Sequence, residues 1–146
     1  MPSDVAIETL SFWVNARPVP KERARTIKTK RGKYRTFTPD RTATWESLVR
    51  LTAQAACSAA KWKPKPGRYT VEVTVHRARR AGDADNFLKA AKDAMNGVVW
   101  PDDRMVVSAS VRLVDGEGVG MRVLVTMELD VAPRSRKAPK KAAGGR

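Results

Sequence analysis

The stretch RYTVEVTVHRARRAGDADNFLKAAKDAMNGVVW, Arg68 to Trp100, changes hydrophobic period halfway along. Tyr69, Val71, Val73 and Val75 alternate with mostly polar neighbours, the period of a half-buried strand. Beyond the basic cluster Arg77, Arg79 and Arg80, the residues Phe87, Leu88, Ala91, Ala94 and Met95 recur at the spacing of one helix face. They predict a helix from Asp85 to Asn96, with Gly97 just past its end. A strand that feeds a helix in this way is the start of an α/β layer pair.

Toward the N-terminus, Leu10, Phe12 and Val14 alternate within Leu10 to Ala16 and predict a strand that Pro18 and Pro20 end. Trp45, Leu48, Val49, Thr52, Ala55, Ala56 and Ala59 predict a helix from Thr42 to Ala60. Toward the C-terminus, strands are expected over Met105 to Val114 and Arg122 to Asp130, and the turn-rich Asp115 to Gly120 between them reads as a hairpin. The order β-α-β-α-β-β predicts a two-layer α/β fold with a mixed sheet of about four strands and two helices, one domain over residues 1–131. Residues 17–41 form a basic arm before the first helix, in which Thr26 to Thr29 and Tyr34 to Phe37 flank Gly32 as a short exposed hairpin. Residues 132–146 carry six basic side chains and no acid among Ala, Pro, Gly and Ser, a disordered cationic tail.

Charge narrows the function. In 146 residues, Lys and Arg number 29 and Asp and Glu 15, a formal net charge of +14 that attracts polyanions, nucleic acid first among them. Lys21, Arg23, Arg25, Lys28, Arg31 and Lys33 of the arm, with Arg77, Arg79 and Arg80, are the candidate phosphate contacts. The one cysteine, Cys57, excludes an internal disulfide and a paired-cysteine zinc site, and reads as a small buried hydrophobe. With no apolar run near the ~18 residues of a membrane span and no secretory leader pattern at the start, a soluble cytoplasmic protein is expected. His76 reads as structural, and Trp13, Trp45, Trp62 and Trp100 as packing residues rather than base-stacking ones.

Against this background five of the 15 acids, Asp83, Asp85, Asp93, Asp102 and Asp103, fall between Asp83 and Asp103, where even spreading would put about two. Asp85, Lys89 and Asp93 follow at i, i+4 and i+8 and share a helix face. Gathered carboxylates repel by about 1 to 4 kcal/mol per pair at 4 Å, and a bound cation removes that cost. Carboxylate oxygens suit magnesium or manganese; zinc would want histidine or cysteine ligands, and this sequence has only the single His76 and the single Cys57. An acidic metal pocket inside a basic surface is what phosphodiester hydrolysis needs. Other readings stay open: Asp83 or Asp85 as an ordinary N-cap, and Asp85, Lys89 and Asp93 as a solvated ion-paired face. An EF-hand is excluded, because Leu88 stands where glycine is required and Ala94 where glutamate is.

The run GDADNFLKAAKDAMNGVVWPDDRMV, Gly82 to Val106, closely resembles the signature of the RusA family of Holliday junction resolvases, and the likeness extends over ARPVPKERAR and YRTFTPDRTATWESLV to cover roughly Leu10 to Val125. The resemblance implies a magnesium-dependent endonuclease that acts as a homodimer on four-way DNA junctions and nicks two strands symmetrically. By position it makes Asp83, Asp85 and Asp103 the metal-binding catalytic carboxylates and Lys89 the catalytic lysine, with Asn86, Asp93 and Asp102 in support. The rival from another class is a non-enzymatic basic nucleic-acid binder whose acids serve as caps and ion pairs; an RNA nuclease is a third reading.

Overall fold

In the computed structural model, which describes residues 5–23, 25–37 and 39–130, Tyr69, Val71, Val73 and Val75 form the buried side of β4 (Arg68–Arg77). The sheet is built around this strand. β6 (Gly120–Asp130) lies antiparallel on one side of it, with Val125 opposite Val71, and β5 (Val106–Asp115) lies parallel on the other, with Ala109 opposite Val71. β1 (Val5–Val14) closes the far edge against β6, giving the order β1-β6-β4-β5, a mixed four-stranded sheet. A separate two-stranded hairpin, β2 (Arg25–Lys28) with β3 (Tyr34–Phe37), is the expected ornament of the basic arm.

The expected hairpin between β5 and β6 does not form. β4 stands between them, and their connection crosses its end, where the Gly116 N–H donates to the Arg77 carbonyl at 2.8 Å. Glycines in that connection mark a turn but say nothing of partners. The strand with the most continuous apolar face goes to the centre, where it is flanked on both sides, and the more polar β5 takes the edge.

Two helices cover one side of the sheet. α1 (Asp40–Ala60) begins two residues earlier than predicted and buries Trp45, Val49, Ala53 and Cys57, a single i, i+4 row. The predicted stripe is therefore rotated: Leu48 is 37% exposed at its flank. α2 (Ala84–Met95) buries Phe87, Ala90, Ala91, Ala94 and Met95. Burying side chains the size of Phe87 and Met95 stabilises by about 1.5–3 kcal/mol each, which fixes how α2 is rolled and hence which residues it offers to solvent. Trp62 and Trp100 lie in the core, where the Trp62 indole N–H donates to the Val99 carbonyl at 2.9 Å. Trp13 is on the uncovered side of the sheet, edge-on to His76. Among the described residues no helix is long and apolar enough to cross a membrane. The expected tail, residues 132–146, lies outside the described residues.

Candidate active site

The turn from β4 into α2 delivers the first carboxylate. Gly82 has φ +93°, and a Cβ there would stand 2.8 Å from the Phe87 ring and 3.0 Å from Pro20 Cγ, so both conformation and space demand glycine. Arg77 fastens this turn: its Nη1 donates to the carbonyls of Ala81 at 3.1 Å and Gly82 at 2.8 Å, while Nε and Nη2 grip Asp115 at 2.6 and 2.9 Å. These hydrogen bonds hold the Asp115 carboxyl below its ordinary range. Arg77 therefore holds the loop that carries Asp83, whereas Arg79 and Arg80 beside it are exposed.

Asp83 occupies the N-cap position of α2. Its backbone carbonyl accepts from the Asn86 and Phe87 N–H groups at 3.1 and 3.2 Å, yet its carboxylate makes no capping hydrogen bond. The side chain lines a hollow with Arg77, Arg80 and Asp115. Capping does not account for it.

Asp85, Lys89 and Asp103 line one cleft of about 350 Å³, together with Leu88, Lys92 and Asp93. The loop after α2 brings Asp103 there at the head of a short 3-10 turn, Asp103–Met105. Trp100, fully buried, donates its indole N–H to Asp103 Oδ1 at 2.7 Å, so a core side chain anchors one oxygen of this carboxylate. Asp102 is different. It caps the 3-10 turn, accepting from Arg104 N at 2.9 Å and from the Arg104 side chain at 3.3 and 3.4 Å, and these bonds hold its carboxyl below the ordinary range.

An ion-paired ladder along α2 does not form, since among the described residues neither Asp85 nor Lys89 takes part in an ion pair. Asp93 turns instead to Lys21, whose Nζ lies 3.1 Å from Asp93 and 2.7 Å from Glu46 on α1. Burial alone would lower the Lys21 pKa, but the hydrogen bonds and charges of Glu46 and Asp93 outweigh it and raise the value. The Lys21 backbone N–H also donates to the Asn86 carbonyl at 2.8 Å, and Glu22 and Thr42 exchange hydrogen bonds at 3.3 and 2.9 Å. Lys21, read in the sequence as a phosphate contact, thus ties the root of the arm to both helices. Arg23, Lys28, Arg31 and Lys33 are exposed along the arm, and Arg25 opens β2.

Sequence reasoning missed the internal partners of Lys21 and Arg77, which lie far away along the chain. It also missed Lys92 in the cleft, which the helical spacing from Asp85 could have shown. Among the described residues no three His, Cys, Asp or Glu side chains form a ready-made metal cluster. What the cleft offers is two carboxylates not engaged by other charged side chains, from separate elements, facing two lysines.

No curated protein matches the sequence. Among solved structures, the hydrogenase maturation protein HypE in complex with ATP aligns with 92% of this chain and 32% of its own, at 10% identity and a TM-score of 0.43, a likeness too slight to carry any inference. The chain thus spans less than half the length of that protein. The profile of endodeoxyribonuclease RusA, by contrast, matches residues 15–128, which takes in the arm, both helices and the whole acidic segment. The chain belongs to the endodeoxyribonuclease RusA family, and its reaction class is hydrolysis of phosphodiester bonds within DNA.

Proposed function

We propose that this endodeoxyribonuclease cuts branched DNA, resolving four-way junctions by paired symmetric nicks as a homodimer, with magnesium as its working cation and manganese as a substitute. The observation that carries the reading is the meeting of Asp85, Lys89 and Asp103 in one cleft.

The donor set fits a hard divalent cation. All its atoms are carboxylate oxygens, and magnesium is commonly held by one or two carboxylates together with substrate phosphates rather than by a complete protein cage. Asp85 and Asp103 would hold it, whereas Asp83, expected from the sequence as a third ligand, lines a separate hollow. The cation supplies Lewis acidity toward the scissile phosphate and makes water a usable nucleophile near neutral pH.

The chain's own residues do the rest. Trp100 keeps Asp103 oriented toward the cleft, which lowers the reorganisation needed when DNA arrives. Lys89 and Lys92 line the same cleft, where they would offset the charge that grows on the phosphate and the leaving oxygen, and Lys89, one helical turn from Asp85, would be the catalytic lysine. Lys21 neutralises Asp93, so the cleft keeps the carboxylates that bind and not an extra repelling one. In-line attack leaves a 5′-phosphate and a 3′-hydroxyl. Two identical centres related by a two-fold axis match the symmetry of a junction cut in two strands.

The test is a nicking assay on a synthetic immobile four-way junction beside a linear duplex of the same sequence. Paired nicks in the junction, present with magnesium and absent with chelator, support the reading; binding without cleavage under every condition favours the non-enzymatic binder.

A further inference from the structure

A hollow of about 370 Å³ opens between the root of the arm and the first turns of α1, away from the acidic cleft. Val19, Trp45 and Leu48 give it an apolar floor, and Arg17 and Arg41 stand at its rim with Asp40. That volume lies at the small end of the range for ligand sites. Trp45, only 3% exposed, closes the floor from below. Among the described residues Arg17 and Arg41 form no ion pair. The first turn of α1, to which Asp40 and Arg41 belong, has no side-chain cap.

Neighbouring hollows share its arginines. Arg17 and Arg41 line a second hollow together with Arg77, Arg79 and Gly82, and Arg77 and Gly82 in turn line the one that holds Asp83.

We propose that this pocket takes an unpaired nucleobase of the DNA substrate, its π face against Val19 and Leu48 over Trp45, and its flanking phosphates on Arg17 and Arg41. Asp40 accepts from an amino or imino group of the base, the hydrogen bond that carboxylates make to exocyclic amines. The inference rests on the reading of branched DNA as substrate, because bases at a branch point are the least costly to unstack. The charge at the rim selects for nucleic acid over an apolar peptide: two free guanidinium groups suit phosphates, and one carboxylate suits a base edge.

The test uses the full chain in chelator, so that no strand is cut, with two probes: the four-way junction, and a duplex bearing one bulged nucleotide. 2-Aminopurine is placed at each position around the crossover and at the bulge, and an abasic residue replaces it in a parallel series. The expected result is a fluorescence change on binding at one junction position and at the bulge, with the abasic residue weakening binding there between about fivefold and a hundredfold. Leu48→Trp, which fills the mouth of the pocket, is expected to abolish both effects while duplex affinity and melting temperature hold. Replacing Arg17 and Arg41 together with glutamine removes the rim charges without touching the floor and is expected to shrink the abasic discrimination; the double variant serves should the first variant fail to fold.

No responsive position in either probe overturns the inference, as does a response that Leu48→Trp and the double arginine variant leave intact. So does a shift in oligomeric state on filling the pocket without loss of any base response, since the occupant is then a second copy of the chain. If wild type prefers neither junction nor bulge over plain duplex, the branched-DNA reading fails by itself. The pocket is then judged on the bulged 2-aminopurine alone.

Discussion

Replacing Lys21 with methionine keeps an unbranched side chain, one atom shorter, and removes its charge. In the structure this leaves Glu46 and Asp93, which flank the ammonium at 2.7 and 3.1 Å with side chains 20% and 37% exposed, without their shared partner. Breaking a fully buried pair costs about 3–5 kcal/mol, and an exposed pair is worth about 0–1. The Lys21 side chain, 21% exposed, lies between these limits and serves two carboxylates, so a loss of about 2 kcal/mol is expected. For a chain of this size that lowers the melting temperature by about 6–8 °C. The assay is thermal unfolding of wild type, Lys21→Met, Glu46→Gln and the double variant at pH 7, with a coupling energy above about 0.5 kcal/mol as the signature of contact. The raised pKa gives a second check. Its contribution is complete below the unfolded value of 10.5 and is lost as pH rises through the folded value above it, so wild type and Lys21→Met should converge in strongly alkaline solution. The reasoning is refuted if Lys21→Met melts with wild type but binds DNA with a salt slope reduced by about 0.9, for then Lys21 touches phosphate instead.

Further outcomes follow from other contacts. Gly82→Ala forces a side chain into the left-handed region and against Phe87, and should destabilise by about 1–3 kcal/mol and reduce cleavage more than DNA affinity, as measured by melting, binding and nicking in parallel. Asp115 is held below the ordinary 3.8 by Arg77, so its stabilisation is present above that pH and lost as pH falls through the depressed value; melting curves taken from pH 6 to pH 2 should fall more steeply for wild type than for Asp115→Asn. Neutralising Lys28, Arg31 and Lys33 together on the exposed hairpin should leave the melting temperature unchanged, and a salt titration of DNA affinity should lose up to about 0.9 of slope for each phosphate contact removed.

How much could be read beforehand depends on the range of each interaction. The apolar rhythm of β4 and α2 is local, and both elements lie within two residues of where Tyr69 to Val75 and Phe87 to Met95 place them. The placing of Asp85, Lys89 and Asp103 about one cleft was foreshadowed by helical spacing and a short return loop. Strand pairing was not, because Gly116 and Gly118 announce a turn equally well whether the next strand pairs with the last or steps over a neighbour. Nor were the duties of Lys21 and Arg77: a cation within a basic run looks the same whether its partner is a phosphate or a carboxylate on a distant helix or loop. The same holds for Asp93 and Asp102, which belong to the acidic segment in sequence but are engaged by Lys21 and Arg104 in space.

The central claim, that carboxylates beside Lys89 hold a divalent cation against a DNA strand, is tested most directly by manganese binding to the full chain. Paramagnetic resonance with a non-cleavable phosphorothioate junction would compare wild type with Asp85→Asn and Asp103→Asn. The account predicts that each substitution weakens manganese binding at least tenfold while junction affinity in chelator stays the same. Equal manganese binding by all three proteins would contradict it.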